Sequence, residues 1–236
     1  MYRYLISFLF MALLLGCQKS DSSKGIPEGE AQLQQDSTQK SFDIDMAAID
    51  KLMSKSQDSI TVATVKTKDG DIEIELYTKD APKTTANFIG LSLAGYYNGV
   101  IFHRIAKGYV IQGGDPTGTG AGGSSIYGGP FEDELNPNTQ SYKEGYTKGV
   151  VAMANRGPNT NTSQFFIILD DAPQLPKNYT IFGRVIKGMN VVNKIASGKI
   201  TPERGPNDGR PVSPVAMEKV TVEKRFKKVN SIFETR

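Results

Sequence analysis

Between Ile60 and Leu76 lies the pattern that most restricts the fold. Val62 and Val65 precede a Lys68-Asp69-Gly70-Asp71 turn, after which Ile72, Ile74 and Leu76 alternate with Asp71, Glu73 and Glu75. A period of two behind an Asp-Gly turn predicts a β-hairpin with one buried face. Further short apolar runs follow at 100–105, 109–112, 150–154, 165–169, 181–185 and 215–222, separated by turns rich in Gly and Pro. Only two helices are predicted within this region. One has Asp80 as its cap, Pro82 in its first turn, Phe88 and Leu91 on its inner face and Gly95 at its end, and the other covers 189–196. Many short strands with few helices point to a closed antiparallel barrel or a sandwich. The barrel is preferred because closure removes exposed edges.

A chain of 236 residues has room for one sizeable domain, expected at 60–225, plus accessory segments. Arg3 followed by the apolar run Leu5 to Leu15 is too short to span a membrane and reads as a signal peptide over 1–16. Its ending, Leu14-Leu15-Gly16-Cys17, resembles the lipobox of bacterial lipoproteins, which implies a lipid anchor on Cys17, the only cysteine. A plain cleaved signal with an incidental cysteine is the alternative. Gln18 stands where Asp would retain such a lipoprotein at the inner membrane. The expected location is therefore the bacterial cell envelope, at the outer membrane and facing the periplasm. Residues 17–41, rich in Ser, Gln, Gly and Asp, read as a flexible tether. In 42–58, Phe42, Met46, Ile49 and Met53 recur at helical spacing behind Ser41 as N-cap, predicting a short helical linker. Residues 226–236 form a C-terminal tail.

Composition and motifs exclude several chemistries. With 28 basic and 25 acidic residues the net charge is only +3, and the one basic cluster is Lys224-Arg225-Phe226-Lys227-Lys228, so no nucleic-acid partner is expected. Gly118-Thr119-Gly120-Ala121-Gly122-Gly123 satisfies the bare dinucleotide expression, but Ser124-Ser125-Ile126-Tyr127-Gly128-Gly129 follows it where a helix should begin, so it reads as a flexible loop. His103 is the single histidine, which leaves no usual zinc site and no serine triad, and no cofactor or metal is expected. It reads as a buried, hydrogen-bonded residue supporting Arg104. Phe165 and Phe166 adjoin in a strand, so one is expected in the core and the other exposed.

Four separated stretches, Phe102 to Asp115, Gly122 to Glu134, Met153 to Ile167 and Phe182 to Val185, appear in an order that resembles the cyclophilin-type peptidyl-prolyl isomerases. That resemblance implies a mainly β fold, a closed eight-stranded antiparallel barrel capped by two α-helices, with its substrate groove on the outside. It implies catalytic roles for Arg104, Gln112 and Asn155, with Asn155 holding the peptide by its backbone. It places Tyr109, Val110, Phe166 and Leu175 in an apolar slot for the proline ring, and Ala154, Gln164 and Tyr179 along the groove. Tyr109 and Val110 stand where many members have Phe and Met. Gln174 and Tyr179 stand where the drug-receptor members have Trp and His, which should weaken cyclosporin-type binding. Two activities remain open: isomerisation of Xaa-Pro bonds in exported polypeptides, assisting folding at the envelope, or non-catalytic holding of Pro-containing segments by the same groove. A monomer is expected.

Overall fold

The computed structural model describes residues 43–54 and 58–226. β1 (Ser59–Thr67) and β2 (Gly70–Leu76) form the antiparallel hairpin that the alternation predicts, with Ile72, Ile74 and Leu76 buried. The turn requires glycine at Gly70, whose φ is +127° and where a Cβ would lie 2.9 Å from Val191 Cγ2.

The sheet continues from β2 through β7 (Ile181–Lys187), β5 (Val150–Met153), β6 (Phe165–Ile168), β4 (Val110–Gly113) and β3 (Phe102–Ala106). From β3 it extends into a hairpin of β9 (Asp208–Pro211) and β8 (Ile200–Gly205), while on the other side β1 pairs with β10 (Lys219–Phe226). All of these pairings are antiparallel. Among the described residues the expected closed eight-stranded barrel is thus corrected to an open ten-stranded sheet with β8 and β10 at its edges. Between β3 and β10 there is only a local seam: Gly99 N donates to Met217 O at 2.7 Å, Met217 N to Val100 O at 2.9 Å and Phe102 N to Val215 O at 3.0 Å. The β8–β9 hairpin escapes a reading based on alternation because its residues are mostly exposed, with Pro, Gly and charged side chains in place of an apolar face.

Phe165 organises the interior. It meets Phe88, Tyr97, Phe102 and Phe182 edge-to-face, with ring centroids 5.6 to 6.4 Å apart. Each such pair adds about 0.5–1.5 kcal/mol beyond the burial of its area. α2 (Pro82–Leu93) lays Phe88, Ile89 and Leu91 on this cluster, and α4 (Met189–Ser197) adds Val191, Val192 and Ile195.

Two more helices join these. α1 (Met46–Met53) is capped by Asp45, whose carboxylate accepts from Ala48 N at 2.9 Å, rather than by Ser41. Its Ile49 is buried against α2, where Gly90 permits the approach: a Cβ there would lie 3.0 Å from Ile49 Cδ1. The expected signal peptide, the tether, Cys17, Phe42 and the tail beyond Phe226 lie outside the described residues.

The cap of α2 also differs from expectation. Its N-cap is Ala81, and the orphan N–H groups of Lys83 and Thr84 donate to the two carboxylate oxygens of Glu134 at 2.9 and 2.8 Å. Asp80 instead accepts from Ser141 N at 2.9 Å, at the start of the short α3 (Gln140–Glu144). A carboxylate from a distant loop meets the positive end of the helix and ties that loop to the core. Glu134→Ala should therefore cost about 1–2 kcal/mol, read as a lowered midpoint in urea unfolding of the purified protein.

Candidate active site

The outer face of the sheet assembles residues that the sequence keeps far apart. Arg104 on β3 pairs with Gln112 on β4, Gln112 with Phe166 on β6, and Phe166 with Ala152 on β5, so one row runs across four strands. Directly opposed side chains in such a row have Cβ atoms about 4.5–5.5 Å apart. A register shift between Phe102 and Arg104 re-aims β3, so that Phe102 fills the interior while Arg104 faces outward.

Above this row lies a groove of about 510 Å³. Arg104, Gln112, Asn155, Tyr109, Val110, Ala154, Gln164, Phe166, Leu175 and Tyr179 all line it, with Gly120 to Gly123 forming part of the opposite wall. Phe166 faces outward as the alternation requires, but it is not exposed: Tyr179 stands edge-on to its ring with centroids 5.5 Å apart. Tyr179 is itself held by Tyr146, whose hydroxyl donates to Tyr179 O at 2.9 Å and accepts from Tyr179 N at 3.0 Å. Gln174 is exposed and does not line the groove. A second cavity, of about 320 Å³ around Thr78, Lys79 and Lys224, shares none of these residues.

Polar groups in the groove form a directed chain. Arg104 Nη1 donates to Gln112 Oε1 at 3.0 Å, and Gln112 Nε2 to Gln164 Oε1 at 3.0 Å. Gln164 Nε2 then donates to the carbonyls of Gly120 and Gly122 at 3.1 and 2.7 Å. The remaining sides of the guanidinium meet Asp208, with Nε to Oδ1 at 2.8 Å and Nη2 to Oδ2 at 2.6 Å. Asp208 was not among the sequence candidates, and nothing in its exposed, turn-rich surroundings marks it. The Asn155 side chain donates to Asn178 O at 2.8 Å and accepts from Gly157 N at 3.3 Å, so its amide braces the groove wall.

The expectation for His103 needs correction. It is buried, but among the described residues neither ring nitrogen has a hydrogen-bond partner, and Arg104 is supported by Gln112 and Asp208 instead. Burial pushes its pKa below the usual imidazole value, and the nearby Arg210, Arg104 and Arg204 act in the same direction against Asp115.

The glycine-rich loop has an occupant of its own. Asp115 accepts from the backbone N–H groups of Thr117, Gly120 and Gly122 at 2.8, 2.7 and 3.0 Å. A Cβ at Gly122 would lie 2.2 Å from Asp115 Oδ1. Burial alone would raise the Asp115 pKa, but the Thr117 hydroxyl and these N–H donors outweigh it and hold the carboxyl below its ordinary value. The loop thus cradles an internal carboxylate where a dinucleotide loop would cradle phosphate. Among the described residues no group of His, Cys, Asp and Glu is arranged to hold a metal ion.

The family model described as cyclophilin type peptidyl-prolyl cis-trans isomerase/CLD matches residues 62–222. The chain belongs to the cyclophilin family. A peptidyl-prolyl cis-trans isomerase of Arabidopsis thaliana, CYP18-2, is 51% identical over 134 residues, covering 57% of this chain and 79% of the relative. A peptidyl-prolyl cis-trans isomerase-like 1 of Neurospora crassa is 49% identical over 162 residues, covering 69% of this chain and 94% of its own length. A Cryptosporidium parvum cyclophilin type isomerase, solved in the presence of the dipeptide Ala-Pro, has a TM-score of 0.61 at 38% identity, over 69% of this chain and 98% of that one. This cyclophilin is accordingly a peptidyl-prolyl cis-trans isomerase.

Its relatives also correct the expected location. Those named above come from a plant, a fungus and Cryptosporidium parvum, which overturns the bacterial outer-membrane placement facing the periplasm. The relatives named above give no support to the lipid anchor expected on Cys17, and no helix among the described residues is long and apolar enough to cross a membrane.

His103 yields a pH test because it is the only histidine of the cyclophilin. Its folded-state pKa is depressed, so below about pH 6.5 the unfolded chain takes up a proton that the folded one refuses. Stability should be full above that pH and decline as pH falls toward the folded value. Urea unfolding between pH 7 and pH 5 should show this slope in the wild type and lose it in His103→Asn, whatever the absolute stability of the variant.

Proposed function

We propose that Arg104, Gln112 and Asn155 carry out the isomerisation, and that Tyr109, Val110, Phe166, Leu175 and Tyr179 hold the proline ring, in substrates that are Xaa-Pro segments of polypeptides. The Arg104 guanidinium facing an apolar slot across Gln112 is the observation that carries this reading.

An amide resists rotation because the nitrogen lone pair conjugates with the carbonyl, giving a barrier of about 18–20 kcal/mol. Xaa-Pro bonds populate both isomers, yet exchange over roughly 10–100 s at 25 °C. Midway through the turn the nitrogen becomes pyramidal, and its lone pair accepts a hydrogen bond that it could not accept while conjugated. An N–H donor of Arg104 aimed at that position stabilises the twisted state above either planar isomer, and only such a difference accelerates the step. Arginine serves because it stays charged and its donors form a rigid fork.

Phe166, walled by Tyr179, keeps the ring still so that rotation occurs on the carbonyl side of the bond. Gln112 gives one Nε2 hydrogen to Gln164, which leaves the second for the substrate carbonyl. The Asn155 side chain is engaged with the loop, so its backbone is the part offered to the extended peptide. Ala154 and Gln164 border the path of that peptide, and the Ala-Pro dipeptide present with the Cryptosporidium parvum relative supports a substrate of this chemistry.

Arg104→Ala should lower kcat/KM on an Xaa-Pro peptide by roughly 10²–10³-fold, measured by NMR exchange, with the thermal midpoint little changed. Peptide binding in a titration should persist in the variant. Equal turnover by wild type and Arg104→Ala would leave only a holding role for the groove.

A further inference from the structure

We propose that Asp208 is a positioning residue for the isomerase reaction: it fixes the Arg104 guanidinium in the single orientation from which its unused N–H groups face the groove. This rests on the role proposed above for Arg104.

A guanidinium has five N–H donors in a rigid plane. Three are occupied, two by Asp208 and one by Gln112, which leaves one on Nη1 and one on Nη2. Two anchors on different edges of the planar group, one a bidentate carboxylate and the other an amide, fix both its position and its rotation. Gln112 alone would act as a hinge.

The fold delivers Asp208 with matching rigidity. On β9 it stands opposite Ala106 of β3, and Gly209 stands opposite Ile105. Arg104 lies two residues from Ala106 along the strand, in the diagonal relation that a long side chain can span. β9 is pinned from its other side too, since a Cβ at Gly209 would lie 2.0 Å from Thr201 O, so glycine permits β8 to close against it. Beyond the pairing, Lys107 N donates to Asn207 O at 2.8 Å. The same hairpin carries Arg210, which donates to Gly118 O at 2.6 Å and Thr119 O at 3.0 Å in the facing loop.

A bidentate Arg–carboxylate pair that is largely shielded from water holds its geometry better than an exposed one. Arg104 and Asp208 are each 22% exposed, and the pair is bidentate. Two effects oppose each other. The carboxylate offsets part of the positive charge that the transition state would otherwise meet, which lowers catalysis, whereas it holds the donors in place, which raises it. Misplacing a reacting group by about 1 Å costs on the order of 10²-fold, so positioning should outweigh the lost charge.

The test compares wild type, Asp208→Asn and Asp208→Glu by NMR exchange on an Xaa-Pro peptide, together with the Arg104 Nε–Hε resonance of each protein. Asp208→Asn should lower kcat roughly ten- to hundred-fold with KM little changed, and should broaden or shift the Arg104 resonance. Asp208→Glu, which keeps the carboxylate, should recover part of both. In an Arg104→Ala background the Asp208→Asn change should have no further effect on kcat, as expected for residues acting as one unit. An Asp208→Asn protein with wild-type or higher kcat would overturn the proposal, whether or not its Arg104 resonance shifts. Because the resonance reports guanidinium order without turnover, an inactive wild type would defeat the role of Arg104 and still leave the positioning by Asp208 measurable.

Discussion

Successive side chains of a strand face opposite sides, and at Phe165-Phe166 that constraint joins the packing of the interior to the shape of the groove. Phe165 is surrounded edge-to-face by four rings in the interior. Its neighbour can only face the other way, where Tyr179 and Leu175 complete a slot. A filled interior leaves no room for a ligand inside, so the proposed chemistry belongs to the outer face. The registers of β3, β4 and β6 then decide which polar groups stand beside the slot, and they deliver Arg104 and Gln112.

The groove's two walls are held by different means. On one side, ladder pairing and aromatic packing fix Val110 and Phe166. On the other, a loop with little regular structure is ordered by Asp115 from beneath and by Arg210 and Gln164 through its carbonyls. The glycines serve this arrangement, since a side chain at Gly122 would displace the carboxylate that organises the loop.

Much of this was legible in the sequence because it rests on local patterns. Alternation marks Ile72, Ile74 and Leu76, and parity along β4 and β6 turns Val110, Gln112 and Phe166 toward one groove. What was not legible depends on contacts between distant segments. Glu134 caps α2 across 50 residues, a role that proximity in sequence assigned to Asp80. The β8–β9 hairpin has no apolar face to reveal it, so both its pairing with β3 and the position of Asp208 went unread, and with them the open form of the sheet. His103 was expected to carry a hydrogen bond because buried polar groups nearly always do, and the structure leaves both of its nitrogens without one.

The chain of donors from Arg104 through Gln112 and Gln164 to the loop carbonyls contains no nucleophile and transfers no proton. A site of that kind forms no covalent intermediate and is left unchanged by each passage. It must lower the barrier equally for cis-to-trans and trans-to-cis conversion. Such a protein hastens the approach of a polypeptide to its own equilibrium without setting where that equilibrium lies, and the direction of net change belongs to the client.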